Sequence, residues 1–254
     1  MKSIAIVGFG RFGELLARLA STHFTVNILE SDPSKIEEAR SNDYPVIEMS
    51  ELHSVDYIFL AVPISLLEPT LISISPFLKP SHLVIDLCSV KVYPTRLMKK
   101  YLSDVQILGS HPMFGPDSAS KGLSGLQVAL CPIKVSEDNL KIIRNFWADK
   151  NVVVLETTPE AHDKDTVYSQ AFTYSIAKLI IGMDIPNLTF KTRSFKDIYE
   201  VATLSARDTD QLFHDMLFYN PYFSEMKIKL EKSIAGTSRI LDEIANEQKI
   251  ARPF

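Results

Sequence analysis

The chain has 254 residues, 46% hydrophobic and 23% charged, with a formal net charge of -4. That is enough for one large or two modest domains, and it leaves no basic excess for nucleic acid or an anionic membrane. No apolar run is long enough to span a bilayer, and Met1-Lys2 leads straight into a strand, so neither a membrane segment nor a signal peptide is expected. Two cysteines, Cys88 and Cys131, without CxxC spacing or a His/Cys cluster, argue against a disulfide framework or a metal site. A reducing cytoplasm and small-molecule or protein partners are the expectation.

The first strand and turn, residues 3–13 (SIAIVGFGRFG), carry the strongest local signal. Ile4 to Val7 read as a buried parallel strand, and residues 14–20 continue at helical spacing. In the turn Gly8-Phe9-Gly10-Arg11-Phe12-Gly13, Gly8 permits a tight reversal, Gly10 lets bare backbone approach a pyrophosphate, and Gly13 lets the helix pack on the strand. The helix N-terminus adds free N–H groups and partial positive charge. A second strand, 24–30, ends on Glu30 and is followed by Ser31. An acid about twenty residues after the first glycine accepts hydrogen bonds from ribose hydroxyls and repels a 2'-phosphate, which favours NAD over NADP. Asp32 could take the same part, and Lys35 or Arg40 could reach a phosphate.

A helix at 34–41, a short strand at 45–48 and a strongly apolar strand at 56–62 follow, the last closed by Pro63. A helix at 66–78 then leads to strands at 83–87 and 105–108. Strands alternating with helices predict a doubly wound parallel sheet with ligands beyond the carboxyl ends of its strands. On that rule three loops line one cleft: 61–64, with Val62 and Pro63; 86–91; and 109–116. Strands at 126–131 and 152–155, around a helix at 139–149, finish the sheet. Thr158-Pro159-Glu160 combines a cap, a first-position proline and an acid, and marks a helix start. Beyond it only helices are expected, over 159–181, 194–204, 208–219 and 221–248. The fold class is therefore α/β: a Rossmann domain over 1–157, then an all-helical domain over 158–254 with enough apolar surface to pair two copies as a homodimer.

His111, in the loop after a strand end and stiffened by Pro112, is either a loop histidine bonded to backbone or, with Ser89 and Lys91 in the preceding loop, the chemical centre. A neutral imidazole there can take a hydroxyl proton as a hydride leaves the same carbon. Ser89 offers a hydroxyl to orient imidazole or substrate, or is a turn residue; Lys91 reads as a solvated charge. On the helix after Pro159, His162, Thr166, Ser169 and Thr173 form a polar stripe opposite Val167, Phe172, Ile176 and Ile180. The stripe is either a solvated face or one wall of the cleft.

Residues 7–17 (VGFGRFGELLA), Ser89-Val90-Lys91 and residues 109–116 (GSHPMFGP) together resemble the prephenate and arogenate dehydrogenases of tyrosine biosynthesis, most of all the plant-type arogenate branch. His162-Asp163-Lys164, Ser169-Gln170 and residues 217–220 extend the likeness. The resemblance implies NAD(P)-linked oxidative decarboxylation of a cyclohexadienyl acid, with His111 as the base and Ser89 assisting. It also implies a substrate set including Ser110, Gln170, a cation for which Arg207 and Arg193 are the candidates, and Asp208, whose carboxylate would attract the ammonium of arogenate. Asp208 reads equally as a helix N-cap. Many bacterial relatives carry a histidine and a proline later in the 159–181 helix, where this chain has Gln170, Ala171 and Tyr174. No attached mutase or regulatory domain is expected, so feedback by tyrosine would act at the active site. Two alternatives stand beside this reading: another NAD-linked hydroxy-acid dehydrogenase, which would need a lysine base in the helical domain, and a non-enzymatic NAD-sensing module, which would have no use for His111 and Ser89 together.

Overall fold

The computed structural model describes residues 1–251, with side chains to residue 248. Its sheet part comprises β1 (Lys2–Val7), α1 (Arg11–Ala20), β2 (Phe24–Leu29), α2 (Pro33–Ser41), β3 (Tyr57–Leu60), α3 (Ile64–Ile74), β4 (Leu83–Asp86), α4 (Val92–Tyr101), β5 (Gln106–Pro112), α5 (Pro116–Ala119), β6 (Gln127–Lys134), α6 (Glu137–Ala148) and β7 (Val153–Glu156). Among the described residues, helices alone follow: α7 (Pro159–Thr166), a π-helical turn (Val167–Ala171), α8 (Phe172–Gly182), α9 (Arg193–Ser205), α10 (Asp210–Phe218) and α11 (Phe223–Ala251).

Alternate residues of each strand feed two cores, which explains why these strands read as continuous apolar runs. Ile4, Ile6, Tyr57 and Phe59 pack with α1 and with Phe146 and Trp147 of α6 on one face. Ala5, Val7, Ile58 and Leu60 pack with α3 and α4 on the other. The seven strands lie in the order β2-β1-β3-β4-β5-β6-β7. This is the expected α/β class, with four local corrections.

Residues 45–48 make only an isolated bridge, Ile28 to Val46, because a 3-10 turn at Met49–Ser54 leads the chain away from the sheet. The sheet is not wholly parallel. β6 runs antiparallel to β5 while β7 is parallel to β6, since the segment between β5 and β6 returns at the same end of the sheet without the crossover that parallel neighbours need. That pairing carries β5 on to Pro112, so His111 stands in a hydrogen-bonded strand opposite Ala129, not in a loop. Helix α4 is an addition; its Pro94 falls in the first turn, where a missing N–H costs nothing.

The predicted helix over 159–181 is present but carries one π-helical turn. No helix among the described residues is long and apolar enough to cross a membrane.

Candidate active site

The carboxyl ends of β1, β3, β4 and β5 face α8 and α10 across a cavity of about 700 Å³. All three predicted loops reach it, through Ala61 to Ile64, Leu87 to Ser89, and His111 to Pro116. Of the polar stripe, Ser169 and Thr173 line the cavity, together with Gln170 and Tyr174 beside them, whereas His162 and Thr166 lie buried behind the wall.

At the glycine turn, local geometry dictates residue type. Gly8 sits at φ +98°, and a Cβ there would lie 2.6 Å from the Ala61 carbonyl oxygen; one on Gly13 would lie 2.1 Å from the Gly8 oxygen. Gly10 is the N-cap of α1 and offers no side-chain cap. A Cβ on it would meet nothing within 4 Å, so it would project into the space where a phosphate can approach bare backbone. Arg11 and Phe12 line the cavity beside it, as do Val62 and Pro63.

Phe9 differs: its ring is buried against Tyr44, and its N–H donates to Glu30 Oε2 at 2.7 Å. Glu30 Oε1 accepts from the N–H groups of Ser31 and Asp32 at 2.6 and 3.0 Å. Partial burial raises the Glu30 carboxyl, but these three backbone donors outweigh it and hold the group below its usual value. The competing candidates are engaged elsewhere. Asp32 caps α2 through Ser34 and Lys35, Lys35 pairs with Glu38 and Arg40 with Glu37. The turn, the uncapped helix end and the acid at the β2 terminus fit a dinucleotide.

His111 is 4% exposed and lines the cavity. Its Nδ1 lies 2.9 Å from His162 Nε2, and His162 Nδ1 lies 2.7 Å from Asp163 Oδ1. Asp163 also accepts from the N–H groups of Lys91 (2.6 Å) and Val92 (2.9 Å), thereby capping α4 from the adjoining α7. Burial, then the charges of His162 and Lys91, hold His111 well below the ordinary histidine value. It is a neutral base near neutral pH, and His162 with Asp163 set its tautomer. The resemblance pointed to His162-Asp163-Lys164 only as supporting residues. The i, i+4 polar spacing was the available signal for His162, but a one-dimensional pattern cannot show that the stripe ends against His111.

Ser89 lines the cavity, and its buried hydroxyl has no hydrogen-bond partner within the protein. The same holds for the amide oxygen of Gln170, which stands on the π-helical turn. Both are polar atoms ready for a bound group.

Ser110 is a correction to the sequence reading. Adjacent strand residues face opposite sides, so Ser110 is fully buried away from the cavity, and its carbonyl accepts from Lys91 Nζ at 2.6 Å. Lys91 is a second correction: it is fully buried, not solvated, and pairs with Asp86. Arg207 is exposed at the rim, 3.7 Å from Asp117, and does not line the cavity. Arg193 is exposed and faces Asp197.

Asp208 is not a helix cap. Thr209 caps α10, accepting from the N–H of Leu212, which frees Asp208 to line the cavity and accept from the Tyr174 hydroxyl. Arg11 crosses the same opening, 2.5 Å from Asp117 and 3.7 Å from Asp208. Asp215 completes the wall: it caps α3 by accepting from the Ser65 N–H at 3.0 Å, where Pro63 supplies no side-chain cap.

Known proteins are similar to this chain in sequence and in fold. The family model for the prephenate dehydrogenase nucleotide-binding domain matches residues 17–156. The chain is similar to arogenate dehydrogenase 2, chloroplastic, of Arabidopsis thaliana, at 27% identity over 251 residues, covering 94% of this chain and 69% of that protein. Arogenate dehydrogenase 1, chloroplastic, of the same plant is 28% identical over 232 residues, covering 86% of this chain but only 36% of that protein. Among solved structures, prephenate dehydrogenase from A. aeolicus in complex with hydroxyphenyl propionate and NAD+ superposes with a TM-score of 0.74 at 20% identity, covering 99% of this chain and 94% of that one. Synechocystis arogenate dehydrogenase gives 0.69 at 22%, covering 97% and 93%. With a family model matched over more than half its length, on a fold that puts a glycine turn and a buried histidine on one cavity, the chain belongs to the prephenate dehydrogenase family.

Proposed function

We propose that this chain is an NAD-dependent prephenate/arogenate dehydrogenase: it oxidises the ring carbinol of a cyclohexadienyl acid with loss of carbon dioxide, the tyrosine-forming step, and arogenate is its preferred substrate. One observation carries the reading. A neutral histidine of fixed tautomer, an unpartnered serine hydroxyl and a bare glycine turn open on the same cavity. A hydroxy-acid dehydrogenase with a lysine base would need a lysine on the wall, and none is among the described residues that line it. A sensing module would need no base held this way.

Gly8, Gly10 and Gly13 with the N-terminus of α1 would hold the pyrophosphate, Glu30 the adenosine ribose, and Val62 and Pro63 would flank the nicotinamide. Bound there, the nicotinamide would supply the hydride acceptor. His111 accepts the hydroxyl proton at Nε2, the nitrogen not used toward His162. Ser89 orients the same hydroxyl, and Gln170 positions the substrate body. Departure of carbon dioxide restores an aromatic ring, which drives the step forward.

The preference for arogenate rests on charge. Of the described residues lining the cavity, Arg11 is the one lysine or arginine, against three carboxyls on the same lining: Asp117 and Asp208, which it faces, and Asp215. Such a wall suits a substrate bearing an ammonium better than a keto acid. We assign the nucleotide to residues 1–157 and substrate selection and pairing to 158–254. Two copies pair through the helical part, where Ile198, Val201, Ile240 and Leu241 are exposed. The setting is a reducing cytoplasm, in keeping with two free, buried thiols.

The test is nicotinamide reduction by the purified protein with prephenate or arogenate against NAD or NADP. The largest signal is expected with arogenate and NAD. Absence of turnover in all four combinations, with NAD still binding, would overturn the assignment of this chemistry.

A further inference from the structure

We infer that His111 does not keep the proton it takes: as Nε2 accepts the hydroxyl proton, Nδ1 passes its own to His162 Nε2, and the positive charge comes to rest on His162 beside Asp163. The identity of the proton donor rests on the function proposed above; the ordering of the two histidines does not.

Asp163 accepts backbone N–H groups on both oxygens, from Lys91 at Oδ1 and from Val92 at Oδ2. The contact of Oδ1 with His162 Nδ1 therefore has the imidazole as donor. A neutral His162 with its proton on Nδ1 leaves a lone pair on Nε2. Across 2.9 Å that lone pair takes the N–H of His111 Nδ1. The lone pair of His111 is thus directed to the cavity, and a line of two movable protons runs inward to a carboxylate.

An imidazolium on His111 would be poorly placed. His111 touches no carboxylate, is enclosed, and faces the Lys91 ammonium. One ring further in, the charge would sit 2.7 Å from Asp163, where attraction is strong because water is excluded. The other titratable groups around the pair do not compete. Asp86 of β4 is committed to Lys91, Cys88 after β4 is pushed up by burial, and so is Cys131 of β6, to about 12.

In the step, the substrate O–H bond breaks as an N–H bond forms at His111 Nε2. The Nδ1–H bond of His111 breaks as one forms at His162 Nε2. The carbinol C–H bond breaks with its electron pair leaving as hydride to the nicotinamide, and the O–H pair becomes the second carbon–oxygen bond. Loss of carbon dioxide then leaves its bonding electron pair on the ring oxygen, and the same path in reverse, His162 Nε2 to His111 Nδ1 and His111 Nε2 to that oxygen, restores the proton before the phenol leaves. His162 is a positioning residue in this scheme, since it meets the substrate only through His111.

Two measurements decide it. His162→Gln keeps an acceptor for His111 and a donor for Asp163 but cannot carry the extra proton. The expected result is a fall in kcat of about a hundredfold, the lower end of what acid–base catalysis contributes, with KM and NAD binding unchanged and the acid limb of the pH profile moved lower. A His162→Gln enzyme within twofold of the parent would overturn the inference. Independently of turnover, nitrogen-15 NMR of the imidazoles on acidification should show His162 doubly protonated while His111 keeps a free Nε2. An imidazolium forming first on His111 would overturn the inference even in an active enzyme. Inactivity of the parent on both substrates would instead count against the proposed function, leaving the NMR result to judge the relay.

Discussion

The sheet part and the helical part place side chains by different means. In the sheet part, main-chain pairing fixes the direction of each residue: the antiparallel register of β5 on β6 turns His111 to the cavity and Ser110 away from it. In the helical part, placement depends on contacts made with the sheet part. Asp163 and Asp215 cap α4 and α3, and a π-helical turn presents Gln170. The two parts also differ in closure. The sheet is covered by packed cores on both faces, whereas α8, α9 and α11 leave Leu179, Ile198 and Leu241 exposed. A rigid part can hold a reacting group within the tolerance chemistry demands. A part assembled through caps and apolar faces is suited to selecting a substrate and joining a partner.

The sharpest way to break this contrast is His111→Asn. Loss of the base should lower kcat at least about a hundredfold while NAD affinity, measured by titration calorimetry, stays unchanged. A comparable loss of NAD binding would mean that the strand and the glycine turn are not independent.

Asp208→Asn tests the selecting role of the helical part. The ratio of kcat/KM for arogenate to that for prephenate should fall about tenfold, equivalent to about 1.4 kcal/mol. An unchanged ratio would remove Asp208 from substrate choice.

Proton linkage sharpens the comparison from the stability side. His111 is held neutral in the folded state, so below about pH 6.5 the unfolded chain binds a proton that the folded chain refuses. Stability is therefore lost as pH falls through and below that value, by up to about 1.4 kcal/mol per pH unit for this one group. Urea unfolding of the parent and of His111→Asn between pH 7 and 5 should show a shallower decline in the variant.

Smaller effects are expected at the helical part's own contacts. Asp215→Ala removes the cap on α3 and should cost about 1 kcal/mol in the same assay. Leu241→Lys, on the exposed side of α11, should shift sedimentation toward a single copy with little change in the turnover of the remaining dimer. A parent that sediments as one copy would end the pairing proposal.

Local chemistry made much of this protein readable in its sequence. Gly8 by its positive φ and Gly13 by the Gly8 carbonyl against it are dictated within a few residues, and the acid at the end of β2 follows from the length of one strand–helix–strand unit. His111 and Ser89 were legible because both fall at the carboxyl ends of strands, where an α/β sheet binds its ligands. Tertiary structure alone decided the rest. Lys91 reads as a surface charge until Asp86 and the Ser110 carbonyl enclose it. Asp208 reads as a cap until Thr209 takes that place. His162 and Asp163 become the support of His111 only when α7 packs beside β5, fifty residues earlier in the chain. Backbone sterics and side-chain period act between near neighbours, whereas burial, pairing and proton position are set by whichever residues the fold brings into contact.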